Sequence, residues 1–304
     1  LWIRQQHILC AGQATRFSLP PTPGTTLQVR PPLLETPAAM PENLPLERVY
    51  EDDYLVVVNK PSGMATHPSS GWWQGSCVSA LLYHVRDWPG IKGVAGPGIV
   101  HRLDKNTSGL LVFAKTHLAQ QALLKLFKHR QLEREYLAVT QAWPEDRARC
   151  GSWRWPLGRD PEHSLKECVR PDGKSALTHY KVLDPERYAA FIPEAARRWT
   201  WVALKLGTGR THQIRVHLQY AGTPILKDGL YGVHGSGLAP NLWPPVMTLH
   251  AYRLRFQHPI HQHMLHFYRP PLHWREGLAA LEALEDLPAQ QGFTGPPLPD
   301  FENL

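Results

Sequence analysis

The sequence predicts an α+β fold, and three observations carry that expectation. Strand-like and helix-like segments follow one another irregularly, without the steady alternation of a parallel βαβ sheet. The run Leu110-Leu111-Val112-Phe113-Ala114 is short, apolar and β-prone enough to read as a buried strand entered from a loop. Between residues 116 and 130, Ala119, Ala122, Leu123, Leu126 and Phe127 recur at the spacing that gives a helix one buried face.

Taken in order, residues 1–30 hold IRQQHILCAG, a polar turn and PGTTLQVR. This segment resembles the second half of a small basic RNA-binding module, a helix end leading into a short hairpin. An N-terminal arm packed on a larger domain fits the same residues. Residues 31–47, PPLLETPAAMPENLPLE, repeat proline often enough to forbid continuous helix or ladder pairing, which makes them a linker. A main domain is expected over residues 48–270. Within it, 133–141 and 200–206 read as strands, and Thr211–Tyr220 as a helix that stops at Gly222. Lys125, Lys128 and Arg130 near the end of the 116–130 helix complement its dipole, which explains them without a ligand. The extension, 271–304, has helical spacing at Glu276–Leu287 and a Pro/Gly-rich end.

Composition narrows the function classes. Lys+Arg 33 against Asp+Glu 26 gives 33 − 26 = +7, with a pI near 9.3, an excess that favours polyanionic partners. Eleven Trp and ten Tyr add faces on which unpaired bases can stack, although large aromatics mostly fill cores. No apolar run approaches the roughly 20 residues of a membrane-spanning helix. The cysteines at 10, 77, 150 and 168 form no Cys-x-x-Cys pair, so a reduced compartment is the default. The chain opens on Leu1 without a leader, so its beginning is expected upstream; the expected location is the cytoplasm, with an organelle left open.

The most telling stretch is GIVHRLDKNTSGLLVFAKT at 98–116, where one carboxylate, Asp104, lies between two cations just ahead of the buried strand. Loops held by a rigid element are where catalytic side chains are presented. An Asp beside Asn and Ser-Gly also serves simply to tighten a turn. The stretch closely resembles the signature of RluA-type pseudouridine synthases, in which the Asp of HRLD is catalytic. Further motifs match in order: YLVVVNKPSGM at 54–64, REYLAV at 134–139, PLGRD at 156–160, GKSALTHY at 173–180, GTGRTHQIRVHLQYAGTPILKDGLYG at 207–232 and LHAYRLRFQHP at 249–259.

That resemblance implies a mixed, largely antiparallel sheet with flanking helices and a central cleft. It implies an isomerase that breaks the bond from the uracil nitrogen to the ribose, turns the base and rejoins it through a ring carbon, with no cofactor and no metal. By the resemblance Asp104, Tyr136 and Arg215 are the catalytic set: Asp104 as nucleophile or base, Arg215 to hold its charge, Tyr136 to pack against the base. Arg102, Arg210, Lys60, Asn59, His212 and Leu249 are the expected substrate-binding residues, with a turn role explaining Lys60 and Asn59 almost as well. On a helix His212, Arg215 and Gln219 share one face, and Ile214, Leu218 and Ala221 share another that can be buried. The implied partner is ribosomal or transfer RNA, met by a monomer, with the target uridine extruded into a deep pocket.

Three rival readings fit the residues less well. A glycoside or nucleoside hydrolase would set two carboxylates at an anomeric carbon, where HRLD offers one acid between cations. A non-catalytic RNA-binding or ribosome-assembly protein of the same fold would be favoured by loss of Asp104, Tyr136 or Arg215, all of which are present. A metal site at His258, His261, His263 and His266 lacks a nearby carboxylate or cysteine and has neither helical-pair nor finger spacing.

Overall fold

A computed structural model describes residues 8–10, 13–14, 24–29, 39–68, 74–85, 98–140, 142–184, 199–232 and 246–271. The helical spacing at 276–287 lies outside them. The chain forms two compact units, 1–38 and 39–304. In the first, β1 (Ile8–Cys10) pairs antiparallel with both β2 (Gln13–Ala14) and β3 (Leu27–Val29).

The second unit begins with a hairpin of β4 (Glu47–Glu51) and β5 (Leu55–Lys60). Its turn is fixed by Asp52, whose Oδ1 accepts the amides of Tyr54 and Leu55 at 2.7 and 2.9 Å. Helix α1 (Cys77–His84) starts at Ser76, and α2 (His117–Lys128) starts at Thr116. Each hydroxyl accepts the amide three residues on, at 3.1 and 3.2 Å, and so satisfies an otherwise orphaned donor. Between the helices runs β6 (Ser108–Ala114). There follow β7 (Glu133–Thr140), β8 (Cys150–Trp153), β9 (Leu157–Arg159), β10 (Glu167–Val169), β11 (Thr178–Val182), β12 (Thr200–Leu206), α3 (Gln213–Tyr220), β13 (Leu249–Gln257) and β14 (Met264–Tyr268).

Nine of these strands make one sheet in the order β4-β5-β6-β13-β7-β12-β11-β8, with β14 alongside β13; β9 and β10 pair separately. Every pairing is antiparallel except β6 with β13. This is the mixed, largely antiparallel α+β sheet that the sequence implies. The last long strand among the described residues, β13, is therefore inserted at the centre of the sheet.

Burial explains why β6 reads as an unbroken apolar run. Leu110, Val112 and Ala114 pack with Ala119 and Leu123 of α2, while Leu111 and Phe113 pack with Val78 and Leu81 of α1. A strand covered on both faces has no polar side to alternate with. Fully burying such side chains contributes about 1.5–3 kcal/mol each. Gly109 marks the parallel crossing: its φ is +113°, and a Cβ there would run into the backbone of Ala251. Ala251 in turn lies opposite Tyr136 of β7. One row thus sets the distance between the strand after Asp104 and the strand bearing Tyr136.

Helix α3 starts at Gln213 rather than Thr211, because His212 adopts a left-handed conformation (φ 54°) that an α-helix cannot continue. Among the described residues no helix is long and apolar enough to cross a membrane.

Candidate active site

The HRLD loop reaches β6 under close control from the turn after β5. Lys60 is 1% exposed, and its ammonium donates to the carbonyls of Pro61 (3.0 Å), Met64 (2.7 Å) and Lys105 (3.0 Å). Burial pulls its pKa down to about 8, which still leaves all three protons in place at neutral pH. Thr66 and Leu103 bond reciprocally, hydroxyl to carbonyl at 2.7 Å and amide to hydroxyl at 3.1 Å. Ser62 donates to the Asn106 carbonyl at 2.8 Å. Asp104 is thus bracketed by clamped residues, and its own carbonyl accepts the Thr107 amide at 3.1 Å.

From the other side α3 presents Arg215, whose guanidinium bridges two carboxylates. Nη1 donates to Asp104 Oδ2 at 3.0 Å, while Nε and Nη2 form a bidentate fork with Asp228 at 2.7 and 2.8 Å. The Asp228 side chain is wholly buried, and its Oδ1 also accepts the amides of Leu230 and Tyr231. Burial alone would raise the Asp228 pKa; Arg215, by hydrogen bond and by charge, outweighs it and holds the carboxyl below its ordinary value. Burial likewise pulls on Arg215, and Asp228 first and then Asp104 hold it above its usual range. The guanidinium also lies over the Tyr231 ring, 4.9 Å from the centroid.

His212 completes this corner. Tyr231 Oη accepts the Glu167 amide at 2.8 Å and sits 2.8 Å from His212 Nδ1. Assigning the Tyr231 proton to Nδ1 leaves His212 Nε2 protonated, 3.8 Å from Asp104 Oδ2. Burial lowers the His212 pKa more than the carboxylates raise it, so the ring is neutral at pH 7. The loop before α3 is pinned by Gln213: its Oε1 accepts from Thr208 Oγ1 and Arg210 N, and its Nε2 donates to Leu177 O and Thr178 Oγ1.

These groups open on one cleft of roughly 700 Å³, within the size of small-molecule pockets and roomy enough for a nucleotide. Asp104, Tyr136, Arg215, Arg102, Arg210, His212 and Leu249 all line it. Tyr136 and Leu249 are buried at 4% and 3% exposure, forming an apolar wall beside the acid. Arg102 and Arg210 are exposed at the rim, with Arg210 Nε donating to the Ser175 carbonyl at 2.9 Å. Lys60 and Asn59 are not brought to the cleft. Lys60 points into the protein beneath the loop, and Asn59 donates to Glu47 at 2.8 Å on the outer hairpin. Lys128 and Arg130, which the helix dipole explained from sequence alone, also line the cleft. Asp228 and Gln213 went unnoticed in the sequence, although both fall within the longest matching motif.

Comparison with known proteins meets this geometry. A family model described as RNA pseudouridylate synthase matches residues 54–220. An RNA pseudouridine synthase of Aquifex aeolicus is 40% identical over 222 residues, covering 72% of this chain and 67% of that protein. The ribosomal large subunit pseudouridine synthase D of Xanthomonas campestris pv. campestris is 38% identical over 267 residues, 85% of this chain and 76% of that one. Among solved structures, human RNA pseudouridylate synthase domain containing 1 superposes with a TM-score of 0.59 at 26% identity, covering 76% of this chain and 85% of its own. With the matched segment running through the sheet, the HRLD loop and α3, the chain belongs to the RNA pseudouridylate synthase family and is an RNA pseudouridine synthase, an isomerase whose substrate is RNA.

Proposed function

We propose that this enzyme isomerises uridines of large-subunit ribosomal RNA and that Asp104 performs the chemistry. The observation that carries the assignment is the single guanidinium of Arg215 shared between Asp104 and a wholly buried Asp228. Fixed by the bidentate fork, Arg215 presents Nη1 to Asp104 without freedom to swing away. The Asp104 carboxylate takes the Arg215 contact on Oδ2 and faces a cleft walled by Tyr136 and Leu249. Such a carboxylate can attack the anomeric carbon or remove the neighbouring sugar proton, and either route starts cleavage of the bond from ring nitrogen to ribose. After the base turns, the ring carbon joins the ribose and gives up its hydrogen, while the freed nitrogen takes one up. No redox partner enters that balance.

Tyr136 holds the base during its turn. Burial raises its pKa, so its hydroxyl stays protonated at neutral pH. Arg102, Arg210, His212 and Leu249 bind the extruded nucleotide. The ribosomal substrate is favoured by several relatives named ribosomal large subunit pseudouridine synthase D. Residues 1–30 act as an accessory arm or RNA-binding module, 31–47 as linker, 48–270 as the catalytic domain and 271–304 as an extension, in a monomeric cytoplasmic enzyme.

The test is Asp104→Asn, assayed on an unmodified large-subunit ribosomal RNA transcript. Conversion is expected to disappear, with RNA affinity changed less than about threefold, since the variant removes chemistry rather than a phosphate contact. Turnover near the parent's rate would overturn the role of Asp104. Conversion of transfer RNA alone by the parent would overturn the choice of substrate.

A further inference from the structure

Among the described residues Arg134 is the partly buried arginine of the cleft that no carboxylate pairs with. Arg134 stands on β7 two residues before Tyr136 and therefore on the same sheet face. Glu135, between them, turns to the opposite face and accepts from Tyr252 Oη at 2.8 Å. The Arg134 guanidinium is seated from two sides. Its Cζ lies 4.9 Å from the centroid of the Phe127 ring, and a Cβ on Gly209 would come within 3.3 Å of its Nη1. Among the described residues no carboxylate pairs with it, and its Nε is buried without an acceptor. The nearby His101 ring, 4.8 Å from Phe127 between centroids, is kept neutral by burial and then by Arg134 itself, so it supplies no negative charge.

A half-buried guanidinium held rigid by an aromatic face, with no anion of its own, is costly unless a ligand supplies one. We propose that Arg134 is an RNA-phosphate site, binding a phosphodiester of the substrate strand beside the target uridine. The planar fork suits two phosphate oxygens. Lys128 and Arg130 lie on the same cleft lining and continue the positive track toward solvent. Gly209 fits this role, since a side chain there would crowd Nη1. Arg134 and Tyr136 both line the cleft from the same face of β7, which places the bound phosphate next to the reacting base. The proposal rests on RNA being the substrate and adds a contact that neither the acid nor its ion pair provides.

The competing role is internal: Arg134 would only steady Tyr136. Binding of the full chain to an unmodified large-subunit ribosomal RNA transcript, measured at several salt concentrations for the parent, Arg134→Met and Arg134→Lys, separates the two. If Arg134 takes a phosphate, Arg134→Met weakens binding about tenfold at about 0.15 M salt and flattens the log–log salt slope by about one. Single-turnover conversion at saturating RNA then falls less than about threefold, since the loss is in binding, which saturation restores. Arg134→Lys restores the slope but only part of the affinity, because a point charge lacks the fork. An unchanged slope, or a loss confined to the saturated rate, overturns the phosphate site. Should Arg134→Met melt below the assay temperature, Arg134→Gln carries the same comparison. If the parent itself fails to bind the ribosomal transcript, the substrate assignment fails instead, and a transfer RNA transcript becomes the probe for the same slopes.

Discussion

Asp228 shows how a residue that need not touch substrate can set the state of one that does. Its bidentate grip on Arg215 fixes two of the guanidinium's three nitrogens, leaving Nη1 for Asp104. Asp228→Asn keeps the shape and removes the charge, so a cation is left buried with one partly exposed partner. The expected loss is about 3–5 kcal/mol of stability, the range for breaking a buried ion pair by removing one member. Activity of the folded fraction should fall at least about tenfold, since about 1.4 kcal/mol of lost charge positioning suffices for that. Chemical denaturation together with single-turnover conversion checks both, and parent-like values in either would show that Asp104 alone holds Arg215. Nothing in LKDGLYG distinguishes this Asp from an ordinary turn residue, and it is one, capping Leu230 and Tyr231. Its second task depends on a guanidinium thirteen positions earlier that only the folded chain brings to it.

At the scale of elements, the long apolar strands and the amphipathic helix of 116–130 were legible, whereas α1, eight residues long, was not. The strand read at 200–206 is β12, and that at 133–141 is β7 over its described residues, 133–140. The pieces from β8 to β11 hold three to five residues each, too few alternations for a periodic signal. Lys60 and Asn59 fit either an RNA contact or a turn role from sequence alone, and the structure sets Lys60 beneath the HRLD loop as a clamp. A Lys in a Pro-Ser-Gly turn looks exposed because lysines almost always are, and its burial is visible only in three carbonyls converging on Nζ. Lys60→Met should therefore destabilise the protein by about 3 kcal/mol, because those carbonyls lose a charged donor. The affinity of the remaining folded protein for RNA should hold within about twofold, since no phosphate contact is lost. Weakened RNA binding with unaltered stability would return Lys60 to the substrate side.

The whole molecule carries a pH signature. Burial lowers the pKa values of His67, His101, His212 and His217. In the unfolded chain each ring takes a proton near about pH 6.5, whereas the folded chain resists protonation to lower pH. Between pH 7 and pH 5 the unfolded state therefore binds more protons, and stability falls as pH falls. Glu135, whose pKa burial raises, pulls the other way, but one such carboxyl stands against four buried histidines. The melting temperature should drop by roughly 5 °C or more from pH 7 to pH 5.5, and a flat melting profile across that interval would show that water reaches these rings. The place of β13 matters at the same scale. Until it is in place, β4, β5 and β6 form one half-sheet and β7, β12, β11 and β8 another, with Asp104 leading into the first and Tyr136 and Arg215 belonging to the second. A ribosome making this chain thus releases both halves of the catalytic set before the strand that joins them, and the nascent enzyme stays unable to modify RNA until residues 249–257 have emerged.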